Sequence, residues 1–102
     1  MNIKNMLEGN ITQAELLNYL NANITYKELP NGLNGFVFSY RGIGNIIINS
    51  KLAAYKKRKT ILHELAHIEL NHLNQVDNDL LAFKLEKYED DADVYIKFLG
   101  GV

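Results

Sequence analysis

The sequence predicts an α+β domain: a small three-stranded sheet packed on one central helix, with one further helix on the N-terminal side and one at the C-terminal end. Three observations predict it. A capped amphipathic segment opens at Thr12, three short strand-like runs lie between Ile24 and Asn49, and two longer stretches of helical periodicity follow. At 102 residues the chain has room for one core. Residues 11–102 therefore read as a single domain behind a loose, polar lead at 1–10.

The first helix is announced by Thr12-Gln13-Ala14-Glu15, a capping box in which each end's side chain satisfies a backbone N–H at the other. Ile11 and Leu16 flank it as a hydrophobic staple, Leu16, Leu17 and Leu20 give the buried face, and the helix should fade among Asn21 and Asn23. The first strand covers 24–29 and is stopped by Pro30-Asn31-Gly32. The second, 35–40, alternates: Phe36, Phe38 and Tyr40 share one face, Val37 and Ser39 the other. Arg41-Gly42-Ile43-Gly44 turns the chain into a third strand at 45–49, centred on Ile46-Ile47-Ile48, so the last two runs read as a hairpin.

The central helix is expected from Ser50 or Lys51 to Leu73. Ile61, Leu62, Leu65, Ala66, Ile68, Leu70 and Leu73 make its second half apolar nearly all round, the mark of a helix covered on more than one face. Its first half carries four consecutive cations, Lys56, Lys57, Arg58 and Lys59, which at about 100° per residue point in every direction. A last helix runs to Leu99 behind the polar loop 74–79 and ends at Gly100-Gly101.

Composition narrows the function classes. With 47% apolar and 23% charged residues the chain is globular rather than disordered. Eleven Lys+Arg against twelve Asp+Glu leave a net charge of −1, which argues against a general nucleic-acid binder. There is no cysteine, so a transition metal has to be held by histidine and carboxylate. Residues 1–10 lack the apolar core of a signal peptide and no apolar run is long enough to span a membrane, so a soluble, cytoplasmic protein is expected.

His63-Glu64-Leu65-Ala66-His67 is H-E-x-x-H on a helical segment. Residues four apart differ by about 40° in azimuth and one turn in height, so two imidazoles can converge on one ion. Glu64 can then reach a water at the metal without being a ligand itself. A zinc hydrolase takes three protein ligands and leaves a fourth position for water. Downstream, Glu89-Asp90-Asp91-Ala92-Asp93 offers the third: Glu89 is the choice, with Ala92 leaving room for a close helix contact. Asp93, one turn on, can accept from the outward N–H of His63 and fix its tautomer. Asp90 and Asp91 fall on other faces and read as solvated.

His72 is a weaker contender. Zinc proteases with a third histidine place a glycine turn before it, whereas here Leu70 holds that position and His72 follows His67 by five residues instead of six. On a continuous helix it lies about 180° around from His63. Were His63, Glu64 and His67 merely packed, each polar group in this apolar helix would need its own partner; one metal serves all of them.

The arrangement Ile48-Asn49 leading into a helix, then His63-Glu64-Leu65-Ala66-His67, then Glu89-x-x-Ala92-Asp93 resembles the ImmA/IrrE family of small zinc metallopeptidases, over about residues 11–99. The resemblance implies a minimal zincin-like core with one Zn2+ per chain, ligated by His63, His67 and Glu89, and Glu64 as general base. It also implies a setting. Members are typically encoded by phages, integrative elements and bacterial chromosomes beside a helix-turn-helix repressor, and cleave or inactivate that repressor. Two departures stand out: Ala66 replaces the glycine of many members, and Val94-Tyr95-Ile96-Lys97-Phe98-Leu99 leads into Gly100-Gly101-Val102 where the family usually continues with small residues, paired leucines and a proline.

Two functional readings follow from these residues. In the first the protein is a gluzincin-like peptidase, with Glu64 taking a proton from water and passing it to the leaving amine. The developing oxyanion then needs a donor. Tyr88, Tyr95, Tyr40 and Tyr26 are available, and spacing does not select among the four. In the second reading a zinc-stabilised module inactivates a repressor by holding it, and Lys56, Lys57, Arg58 and Lys59 form a patch for an acidic partner instead of a merely solvated surface. A scaffold zinc takes four protein ligands, and the three found here favour the enzyme. Either way the expected partner is a protein, neither nucleic acid nor membrane.

Overall fold

The computed structural model describes residues 1–70 of the chain. The expected last helix lies outside the described residues, and so do His72, Tyr88, Glu89, Asp93 and Tyr95. Three helices and three strands occur in the order α1 (Ile3–Leu7), α2 (Gln13–Tyr19), β1 (Ala22–Lys27), β2 (Gly35–Tyr40), β3 (Ile43–Asn49) and α3 (Ala54–Glu69). The class is α+β, with a mixed sheet in the order β1-β3-β2. Among the described residues no helix is long and apolar enough to cross a membrane.

The local signals act as expected in α2. Thr12 Oγ1 accepts from Glu15 N at 3.1 Å and the Glu15 carboxylate accepts from Thr12 N at 3.0 Å, closing the capping box. Leu16 is fully buried, with Ile11 packed beside the core. The β2–β3 hairpin is closed by Arg41 and Gly42 alone: Tyr40 pairs with Ile43, and the turn residues have φ of 51° and 78°. Positive φ at both positions gives a turn whose twist matches that of the flanking strands, and glycine carries the second at no steric cost.

The third strand pairs differently from a simple meander. β1 runs parallel to β3, from Ala22 opposite Gly44 to Lys27 opposite Asn49, while β2 lies antiparallel on β3's other side. Ile24, Ile46 and Val37 therefore form one cross-strand row beneath α3 and its Ile61, Leu65 and Ala66. The aromatic row of β2 is on the opposite face, where Phe36 and Phe38 stack with ring centroids 6.3 Å apart.

α3 rests on β3 and β2, and Gly35 sets how closely. A Cβ at that position would meet the Ile47 carbonyl oxygen at 2.6 Å and Thr60 Cγ2 at 2.9 Å, so only glycine lets the helix seat there.

Two expectations are corrected. The loose lead at 1–10 contains α1: Asn2 and Asn5 cap each other reciprocally, Ile3 is fully buried, and the Ile3 N–H donates to the Glu69 carboxylate at the far end of α3. The central helix also starts later, at Ala54 and not at Ser50 or Lys51; it runs to Glu69 with Leu70 as its cap, and the expected end at Leu73 lies outside the described residues. The delay has a cause in Asn49. Its Oδ1 accepts from Lys51 N at 3.1 Å and its carbonyl accepts from Leu52 N at 3.2 Å, holding 49–52 in a turn.

Candidate metal centre

The second half of α3 brings His63, Glu64 and His67 together. Their potential ligand atoms lie within 4.8 Å of one another. His63 is half-buried, while Glu64 is 2% exposed and His67 fully buried. The burial follows from the helix: Leu65 and Ala66 press one side into the core, and His67 shares enough of that side to be enclosed.

The two imidazoles meet through Nε2, 3.3 Å apart, with their planes 85° from parallel. Two nitrogens each about 2.0–2.1 Å from one tetrahedral zinc ion are themselves about 3.3–3.4 Å apart. The spacing of the rings thus fits a shared divalent ion. Metal ligation through both Nε2 atoms places each ring's proton on Nδ1.

Beside His63 and Glu64 opens a cavity of about 460 Å³. One wall is α3, through Tyr55, Lys56, Lys59, Thr60, His63 and Glu64; the facing wall is the chain entering β2, Gly32-Leu33-Asn34-Gly35. That second wall is held by Asn49, which is 4% exposed. Asn49 Nδ2 donates to the Leu33 carbonyl at 2.9 Å and the Leu29 carbonyl at 3.4 Å, its Oδ1 accepts from Leu29 N at 3.3 Å, and its own N–H donates to the Asn34 carbonyl at 2.8 Å. One buried amide at the end of β3 thus satisfies the backbone of a loop with no ladder of its own.

The cationic run divides. Lys56 and Lys59 line the cavity, on the same face as Thr60 and His63. Lys57 turns away, its Nζ 5.6 Å from the centroid of the Tyr26 ring. Arg58 is exposed and is not part of the cavity wall. Neither Tyr26 nor Tyr40 lines the cavity; Tyr40 lies under the Arg41 guanidinium at 5.2 Å. Of the tyrosines weighed as oxyanion donors, these two are therefore not brought to the site, and Tyr88 and Tyr95 fall outside the described residues together with Glu89 and Asp93. Sequence reading missed Asn49 as the support of the wall and Tyr55 at the cavity. The only local trace of Asn49's role is a polar residue closing an apolar strand.

No curated protein and no solved structure matches the chain. The family model described as the IrrE N-terminal-like domain, of the peptidase family M78, matches residues 17–94, a span running from α2 through the two histidines to beyond Glu89 and Asp93. With well over half its length matched, the chain belongs to this IrrE N-terminal-like family of peptidases.

Proposed function

We propose that the protein is a zinc-dependent endopeptidase that cuts a helix-turn-helix transcription repressor and so derepresses genes of a phage or mobile element. The observation that carries the reading is the 3.3 Å approach of His63 Nε2 to His67 Nε2, with the buried Glu64 beside them. His63 and His67 would hold the ion with Glu89 as third ligand, Asp93 steadying His63. The bound ion supplies Lewis acidity to a substrate carbonyl and acidifies water.

The chain's own groups do the rest. Glu64, kept from bulk solvent, accepts a proton from water and returns it to the leaving amine. The cavity at His63 and Glu64 accommodates substrate side chains. Among the described residues β2 pairs on one side only, so its outer edge has backbone groups with which an extended peptide can align. Membership of a peptidase family supports the reaction class.

The test is to incubate the zinc-loaded protein with the repressor encoded beside its gene and to read the products by mass spectrometry. A discrete cut made by the wild type, with Glu64→Gln retaining zinc but slowed about 10²–10⁴-fold, is the expected result. An intact repressor bound equally by both proteins would replace the peptidase with a holding module. Equal cutting by Glu64→Gln would remove Glu64 as the base.

A further inference from the structure

We propose that Lys56 and Lys59 make the cavity selective for peptides with an aspartate or glutamate within three residues of the bond that is cut; the proposal rests on the peptidase reading of the same site. Both lysines line the cavity together with His63 and Glu64. Along α3, Lys59 precedes His63 by one turn, about 6 Å, and Lys56 precedes it by about 10 Å. An extended peptide advances about 3.3 Å per residue, so these heights correspond to side chains two or three positions from the scissile bond, and on one side of it.

Two other cations near the site are engaged elsewhere. Lys57 covers the Tyr26 ring, and Lys51 Nζ donates to Asn31 Oδ1 at 3.2 Å on the outer rim of the loop. Lys56 and Lys59 make no ion pair among the described residues, and both are exposed. The facing wall, Gly32-Leu33-Asn34-Gly35, carries no charge. Glu64 is the one carboxylate on the cavity lining among the described residues, and it is buried at the metal centre. Two ammonium groups thus lie over a recess whose described lining offers them no exposed anion. A substrate carboxylate fills that gap, while a substrate lysine or arginine meets like charge.

A peptide mixture of random sequence, given to the zinc-loaded full-length protein, tests this by sequencing the cut sites. Wild type should enrich Asp and Glu roughly five- to twentyfold at one or two positions on one side of the cut, up to about fivefold for each solvent-accessible lysine. Lys56→Gln/Lys59→Gln should abolish the enrichment, Lys56→Glu/Lys59→Glu should convert it to Lys and Arg, and Arg58→Gln should leave it as in wild type. Cutting without acidic enrichment, or enrichment that survives the double lysine variant, overturns the proposal.

A second arm needs no catalysis. The same mixture is passed over immobilised, zinc-loaded Glu64→Gln protein, with and without the two lysine substitutions. Retained peptides should be acid-rich, lose that bias in the double variant, and elute as salt rises. If nothing is cut but retention is acid-rich and lysine-dependent, the peptidase reading fails and the binding preference stands. Retention without an acidic bias, or neither retention nor cutting, overturns the preference.

Discussion

The two halves of α3 obey different rules. Residues 54–59 contain no buried side chain, whereas six of the eight residues 60–67 are buried: Thr60, Ile61, Glu64, Leu65, Ala66 and His67. The first half has no side-chain cap, since Ala53 offers none, and a segment of two turns is too short to be helical alone. It is helical as the extension of a half that the sheet holds in place. Its Thr60 hydroxyl, donating to the Lys56 carbonyl at 2.8 Å, sits at the border of the two. The lesson is a division of labour along one helix: packing fixes where the candidate metal centre is, and the protruding turns bring charge to the cavity without contributing to the core.

That division implies a graded set of outcomes. His67→Ala has the largest effect, because it removes one of two converging nitrogens from a buried position. Affinity for an added divalent metal ion, measured by competition with a chelator, should fall by more than the roughly 10–100-fold typical of losing a supporting hydrogen bond. Leu65→Ala comes next, destabilising by about 2–5 kcal/mol in urea titration, since a fully buried leucine leaves a cavity beneath the centre. Asn49→Ala probes the wall opposite α3. It should cost about 1–3 kcal/mol by leaving buried loop amides and carbonyls unsatisfied, and hydrogen exchange should quicken at Leu29. Arg58→Ala is the smallest, within about 0.5 kcal/mol of wild type. A loss above 1 kcal/mol there would erase the distinction between the halves.

What could be read from the sequence was local. The capping box of α2 spans four residues, the hairpin is closed by two, and the H-E-x-x-H spacing puts its histidines on one face whatever surrounds the helix. What could not be read depended on distant partners. Ile3 docks into the core and donates its N–H to Glu69, sixty-six positions later, and nothing in residues 1–10 announces that. The pairing of β1 with β3 could not be told from that with β2, because short apolar runs carry no label for their neighbour. Nor could three lysines and one arginine in a row be sorted into two that face the cavity and two that do not, before the position of the loop entering β2 was known.

The strand order also sets a sequence of events in time. The hairpin between β2 and β3 closes across two residues, whereas β1 must find β3 with Ala22 meeting Gly44, across an intervening strand and loop. Loop-closure entropy favours the hairpin as the earlier and faster event, and the parallel pair as the later one. The wall of the cavity belongs to the stretch between β1 and β2, so it takes its final shape only when β1 docks and Asn49 gathers Leu29 and Leu33 around it. The cavity is thereby a late product of assembly, completed after the strand that supports it.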